Sequence, residues 1–341
     1  MAQLLSAQAK KRMDNLIALT ADRYGGVPGE TYTATPSVAQ TLNEKIIVDG
    51  NWLLSLINVV PVAEMSGDKI FMDLAAPVTS RTDTSGTGER SAKRLLSLSN
   101  KTYQLYKTES DVALTYSQID SWAKFKNFIE MYANKVAKAI GNDRVKIGFH
   151  GTSAATATNL TTNPNLEDVN KGWLQIIREF NGGSQYTIGT SGVPVQLGGS
   201  TFKNLDVLVG SAIDMLAEQF REDPDLIVFL GRSVLQYTRN QYYAANGNTP
   251  TEKAKVNDAT TMTTYGGLPA LTPPFFPSNG LLVTSLNNLS IYWQETSWRR
   301  QQLDNPKRDQ YEDFNSRNEG YVVEVEEKTA FIENITYAPI S

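Results

Sequence analysis

Cysteine is absent from the 341 residues, which removes disulfides, thiolate nucleophiles and thiolate metal ligands together. Histidine occurs once, as His150. Triads built on imidazole and zinc sites with several imidazoles therefore lack their parts. No Gly-Lys dipeptide occurs, and the phosphate-cradling loop of nucleotide hydrolases needs one. No run of about 18 apolar residues is present, and residues 1–24 lack the continuous apolar stretch of a secretory signal, so no membrane span is expected. Cations are not in excess either: 32 Lys and Arg against 36 Asp and Glu leave a net charge of −4. That balance provides no broad positive field to grip phosphate backbones by counterion release.

What remains is ordinary for a folded, water-facing chain: 40% hydrophobic, 9% aromatic and 20% charged residues. The length predicts two or three lobes, each large enough to bury a core. Residues 1–24 suit a short amphipathic helix, with Leu4, Leu5, Met13, Ile17 and Leu19 set against the basic Lys10, Lys11 and Arg12. Gly25, Gly26, Pro28 and Gly29 break that pattern, and Pro36-Ser37 opens a second helical stretch through Leu42 and Ile46. Extended segments are expected at 58–64, 69–74 and 101–114. Between them, TSRTDTSGTGER at 79–90 has no aliphatic residue and predicts a polar tip on a long hairpin. A lone hairpin is only marginally stable in water, so this one needs a neighbouring surface.

The strongest periodicity follows Ser117, where Ile119, Trp122, Phe125, Ile129, Tyr132, Val136 and Ile140 recur every three or four residues. It predicts one long helix over 118–140, ending at Gly141 or running on to Phe149. Another helix is expected over 166–180, then a Gly/Ser-rich boundary at 181–200, a helix over 205–219, a strand at 226–230 and a helix over 232–243. Strands at 281–286 and 289–293 precede a charged segment, and a terminal hairpin is expected from 321–325 and 329–335. The fold class is α+β.

Few residues offer chemistry. His150 reads as a lone surface or helix-end imidazole. Glu222, Asp223 and Asp225 could form a carboxylate pair, but Pro224 among them favours a turn. Trp293 and Trp298 beside Arg299 and Arg300 could form a sugar platform or anchor an interface. The mixed charges of 299–313, including Asp309 and Glu312, suit a solvated face or a contact between identical subunits.

Several strings together resemble the major capsid protein of peduoviruses, the P2-like tailed phages. They are PSVAQTL at 36–42, INVVPVAEMSGDKI at 57–70, TDTSGTGER at 82–90, SWAKFKNF at 121–128 and NPNLEDVNKGWLQ at 163–175. The rest are EDPDLIVFLGR at 222–232, GGLPALTPPFFP at 266–277, NNLSIYWQE at 287–295 and NPKRDQYEDFNSRNEGYVVE at 305–324. The resemblance implies the Hong Kong 97 (HK-97) fold, with an N-terminal arm at 1–62 and an extended loop at 63–115. It also implies a peripheral domain from 116–197 and 301–341, and an axial domain at 198–300. It further implies a coat subunit of pentamers and hexamers in an icosahedral shell around double-stranded DNA, without catalysis, metal or cofactor. Partners so implied are other copies of the chain, a scaffolding protein that doubles as protease and a portal at one vertex. Assembly would take place in the bacterial cytoplasm, with a cut before Pro36 and no membrane contact. A mildly acidic coat is compatible with enclosing and releasing a polyanion. Arg81, Arg90, Lys93 and Arg94, on or beside the loop tip, would reach acidic surface on a neighbour, and Arg299, Arg300, Asp309 and Glu312 would line another contact. Two other readings stay open at this stage: an encapsulin-type compartment, which shares the fold, and a carbohydrate-active enzyme.

Overall fold

A computed structural model describes residues 7–24, 26–74, 79, 81–82, 85, 89, 96–122, 127–187, 194–246 and 264–340. One strand, Gln310–Val323, organises the larger of two main sheets. Along one edge it pairs antiparallel with Arg299–Asn305 and then with Leu289–Gln294; along the other it pairs with Val112–Thr115 and then Tyr106–Glu109. Tyr32–Thr33 extends the sheet beyond Arg299–Asn305, and Asn58–Val62 joins Leu289–Gln294 in parallel. The charged stretch 299–313, which suits a solvated face or a subunit contact, forms a hairpin, Arg299–Asn305 with Gln310–Val323. Asp309 takes its turn in the left-handed region at φ 50°.

The second sheet runs Thr264–Tyr265, Leu268–Leu271, Leu226–Leu230, Leu281–Ser285, Ala330–Ile332, Tyr186–Thr187. Every residue of Leu226–Leu230 and Leu281–Ser285 is buried. These strands read as apolar runs because both sheet faces are covered. Val228, Leu230, Leu281, Val283 and Ile332 face a cluster with Leu205, Leu208, Val209 and Ala212 of helix Leu205–Asp214 and with Val234 and Tyr237 of helix Arg232–Asn246. The alternate residues Ile227, Phe229, Leu282 and Phe331 face the main core with Phe149, Trp173 and Tyr321. This sheet is therefore a wall shared by two cores. The C-terminal hairpin expected from 321–335 does not form. Gln310–Val323 ends in the first sheet and Ala330–Ile332 enters the second, because Phe331 and its neighbours Ala330 and Ile332 each find a different core across that wall.

The periodic segment after Ser117 gives helix Tyr116–Trp122 and then helix Phe128–His150, whose 23 residues span about 35 Å; Phe125 lies outside the described residues. Gly141 does not end this helix. It is where helix Pro36–Gly50 crosses: a Cβ on Gly141 would stand 2.6 Å from the Gly50 Cα. Only hydrogen lets the two backbones meet there. The helix expected over 166–180 is limited to Trp173–Glu179. Leu166 sits at φ 63°, and the preceding segment is tied as a loop by Asp168, whose Oδ2 accepts from the Asn159 N–H at 2.7 Å and Asn163 Nδ2 at 3.0 Å. The apolar spacing there reports a loop packed on the core.

Helix Ala7–Tyr24 buries Met13, Leu16 and Ala21, with Met13 and Leu16 in a small cluster with Tyr116, Ile119, Phe128, Tyr132 and Tyr311. Strands Ser66–Leu74 and Leu96–Gln104 pair with one another along their length and, among the described residues, with no other strand.

Candidate assembly site

Among the described residues, one cluster of buried charge joins four parts of the chain. Arg144, from the long helix, donates through Nε to Glu319 Oε1 at 2.8 Å, and its Nη2 reaches the same oxygen. Arg317 Nε donates to that oxygen as well. Arg144 Nη1 then binds Asn43 Oδ1 of helix Pro36–Gly50 at 2.7 Å, while Arg317 Nη1 binds Ser110 Oγ, in the turn between strands Tyr106–Glu109 and Val112–Thr115, at 3.0 Å. Asn170 Nδ2 holds the Glu319 carbonyl at 2.9 Å. None of the three charged side chains exceeds 2% exposure. Burial alone would raise the Glu319 carboxyl, yet the two guanidinium groups overcome it and hold the group down at about 2. Helix Pro36–Gly50, the long helix, the central strand and the turn at Ser110 therefore share one ionic knot.

This knot escaped the sequence reading, since Arg144 and Glu319 lie 175 positions apart. One signal was present: Arg144 falls between Ile140 and Ile147 on the apolar face of its helix, where a charge needs a buried partner.

The charged residues singled out from sequence fall in several places. Arg81 is exposed; Arg90, Lys93 and Arg94 lie outside the described residues. Arg299 is exposed, whereas Arg300 turns inward and grips Asp313 bidentately, Nε–Oδ1 at 2.9 Å and Nη2–Oδ2 at 2.7 Å. Tyr132 donates to Asp313 Oδ2 at 3.3 Å and Gln302 Nε2 to the same atom at 3.1 Å. Glu312 is buried, accepting from Gln310 Nε2 at 2.6 Å and Asn305 Nδ2 at 3.2 Å. Asp309, half-buried at the turn, accepts the Tyr116 N–H through its carbonyl at 2.9 Å.

The residues considered for catalysis have structural duties. His150 Nε2 donates to the Phe275 carbonyl at 2.7 Å, and burial pushes its pKa below the ordinary imidazole value. Asp223 binds Lys328 Nζ at 2.5 Å, which holds its carboxyl below the usual range, and accepts the Asp225 N–H at 3.1 Å; the segment is a turn. Trp293 and Trp298 form no sugar platform, being 1% exposed and packed edge-on at 6.4 Å. Among the described residues no group of His, Asp and Glu is arranged to hold a metal ion, and no helix is long and apolar enough to cross a membrane.

The two sheets, the long helix and the self-paired hairpin define the class: this is the Hong Kong 97 type of phage capsid fold, shared with solved capsid chains. A chain of the satellite phage P4 procapsid, solved with its size determination (Sid) protein, superposes with a TM-score of 0.70 at 32% identity, covering 87% of this chain and 99% of that one. The capsid protein of Escherichia phage P2 is 32% identical over 326 residues, covering 93% of this chain and 90% of its own length. The major capsid protein of Serratia phage KSP20 is 30% identical over 316 residues, covering 90% of each. Residues 10–335 match the family of phage major capsid proteins, P2 family, and the chain belongs to it. It is a structural component of a virion, of the kind that assembles into multimeric shells.

Proposed function

We propose that the chain is the coat subunit of an icosahedral shell, occupying both pentamers and hexamers, that encloses double-stranded DNA of a tailed phage. The observation that carries this is the hairpin Ser66–Leu74 and Leu96–Gln104, whose strands pair only with each other among the described residues. A two-stranded ribbon that long needs another surface, and identical neighbours supply one in a closed shell. In this reading residues 1–62 are the arm, 63–115 the extended loop, 116–197 with 301–341 the peripheral domain and 198–300 the axial domain. Arg81, Arg90, Lys93 and Arg94 meet acidic surface on a neighbour. Arg299 and Asp309 face a second contact, which Arg300 and Glu312 shape through their internal bonds. Shell building proceeds without catalysis or cofactor, in the host cytoplasm, around a scaffolding protein-protease and with a portal at one vertex. DNA is held without sequence preference, consistent with the net charge of −4.

Expression of the full chain with a scaffolding protein, followed by negative-stain microscopy, tests the reading. Closed particles are expected. A chain that stays a compact monomer under every condition, with or without scaffold, overturns it.

A further inference from the structure

The hairpin meets the body of its own subunit at a small set of residues. Strand Leu96–Gln104 passes through the fully buried Leu105 into Tyr106–Glu109, which enters the larger sheet. The Leu105 N–H donates to the Met65 carbonyl at 2.8 Å, closing the root of the ribbon. Beneath this bend runs Gly320 of the central strand. A Cβ there would stand 2.7 Å from the Gln104 carbonyl oxygen and 2.8 Å from Leu105 Cδ2, so the close approach requires glycine. Tyr103, paired across the ribbon with Gly67, meets Tyr292 edge-on at 5.1 Å. The Tyr292 hydroxyl in turn donates to Glu324 Oε1 at 3.0 Å. Lys101 projects from the same strand onto Glu326, a buried carboxylate on the turn between the two sheets, and its ammonium stands 5.1 Å from the Phe180 ring centre.

We propose that these contacts form a seat that fixes the direction in which the hairpin leaves its own subunit before any neighbour is present, with Lys101 and Glu326 as its pin. The proposal deepens the coat-subunit reading and concerns a positioning device; the hairpin's outer contacts are a separate matter. An exposed ion pair contributes little to stability, but this carboxylate is enclosed and its cation lies against an aromatic face, which strengthens the pairing. The seat also touches the strand that carries Arg317 and Glu319, so hairpin direction and ionic knot share one support. A ribbon held at its root has less freedom to lose when a neighbour binds, which favours association.

Charge swapping in the full, unassembled chain tests it. Lys101→Glu and Glu326→Lys are each expected to raise hydrogen exchange at 100–104 by about tenfold. Exchange in Gln310–Val323 should stay as in the parent. Combining the two should bring exchange back to the parent level and restore the rate at which shells close with scaffold. Parental exchange in both single variants overturns the seat, and so does a swap that leaves the root as loose as the singles. Should a reversed charge prevent folding, Lys101→Met provides the same readout, because it keeps the apolar stem and loses only the pin. Exchange is read on free subunits, so a failed seat leaves the shell reading intact, and absent particles leave the exchange result interpretable.

Discussion

Glu319 offers one carboxylate oxygen to two guanidinium groups, and the surrounding side chains admit no solvent to replace it. Glu319→Gln would leave two cations enclosed without their anion, a change that costs about 3–5 kcal/mol; a lower urea midpoint at pH 7 is the expected outcome. The pH dependence has a definite sign. The folded-state value of about 2 lies below the ordinary 4.5, so the stabilisation is complete above about 4.5 and is lost as pH falls toward 2. Urea midpoints measured from pH 6 down to pH 2.5 should therefore fall, and more steeply in the parent than in Glu319→Gln. At this scale the sequence was only partly legible. The turn at Asp223 followed from Pro224, and His150, read as a lone surface or helix-end imidazole, closes helix Phe128–His150. The partner of Arg144 did not follow from the sequence, because strand pairing brings it from far along the chain. The internal bonds of Arg300 and Glu312, which read as part of a solvated face or a subunit contact, were hidden for a similar reason: their partners are strand neighbours, and no local pattern marks that pairing.

Among the elements, the crossing of helices Pro36–Gly50 and Phe128–His150 rests on the absence of two side chains. Gly141→Ala would drive a methyl group into the opposite backbone and cost about 1–3 kcal/mol, measurable as a lower melting temperature with helical content retained. Trp173 packs edge-on against Phe149 at 5.5 Å and Tyr321 at 5.4 Å, and its indole N–H donates to the Ser290 carbonyl at 2.9 Å. Trp173→Ala should lower stability by about 3–5 kcal/mol, read by denaturant titration. The helical stretch from Pro36 was legible, and so was the helical character after Ser117. The single helix expected over 118–140 is instead Tyr116–Trp122 followed by Phe128–His150, since spacing does not mark the turn at Asn127. The helix expected over 166–180 was too long because Leu166 and Val169 are apolar for the sake of a packed loop, which spacing alone does not distinguish from a helix. The expected C-terminal hairpin failed for a related reason: alternation identifies strands, not their partners, and 330–332 is recruited by two cores at once.

Across the whole molecule, two cores share a wall, and the self-paired hairpin stands apart from both sheets. Neutralising Arg81 and Arg90 together, as Arg81→Gln and Arg90→Gln, should weaken assembled shells on heating while the free subunit unfolds at its parental temperature; shells of unchanged heat stability would count against the tip contact. The larger sheet closes over a great sequence distance. Asn58 Nδ2 donates to the Asn287 carbonyl 229 positions later, and Asn58–Val62 pairs, among the described residues, with Leu289–Gln294 alone. During translation the early strand must wait while most of the chain emerges from the ribosome, since long-range pairing comes late. A copy still being synthesised thus has no finished edge to offer. The larger sheet is therefore completed only once Leu289–Gln294 has been synthesised.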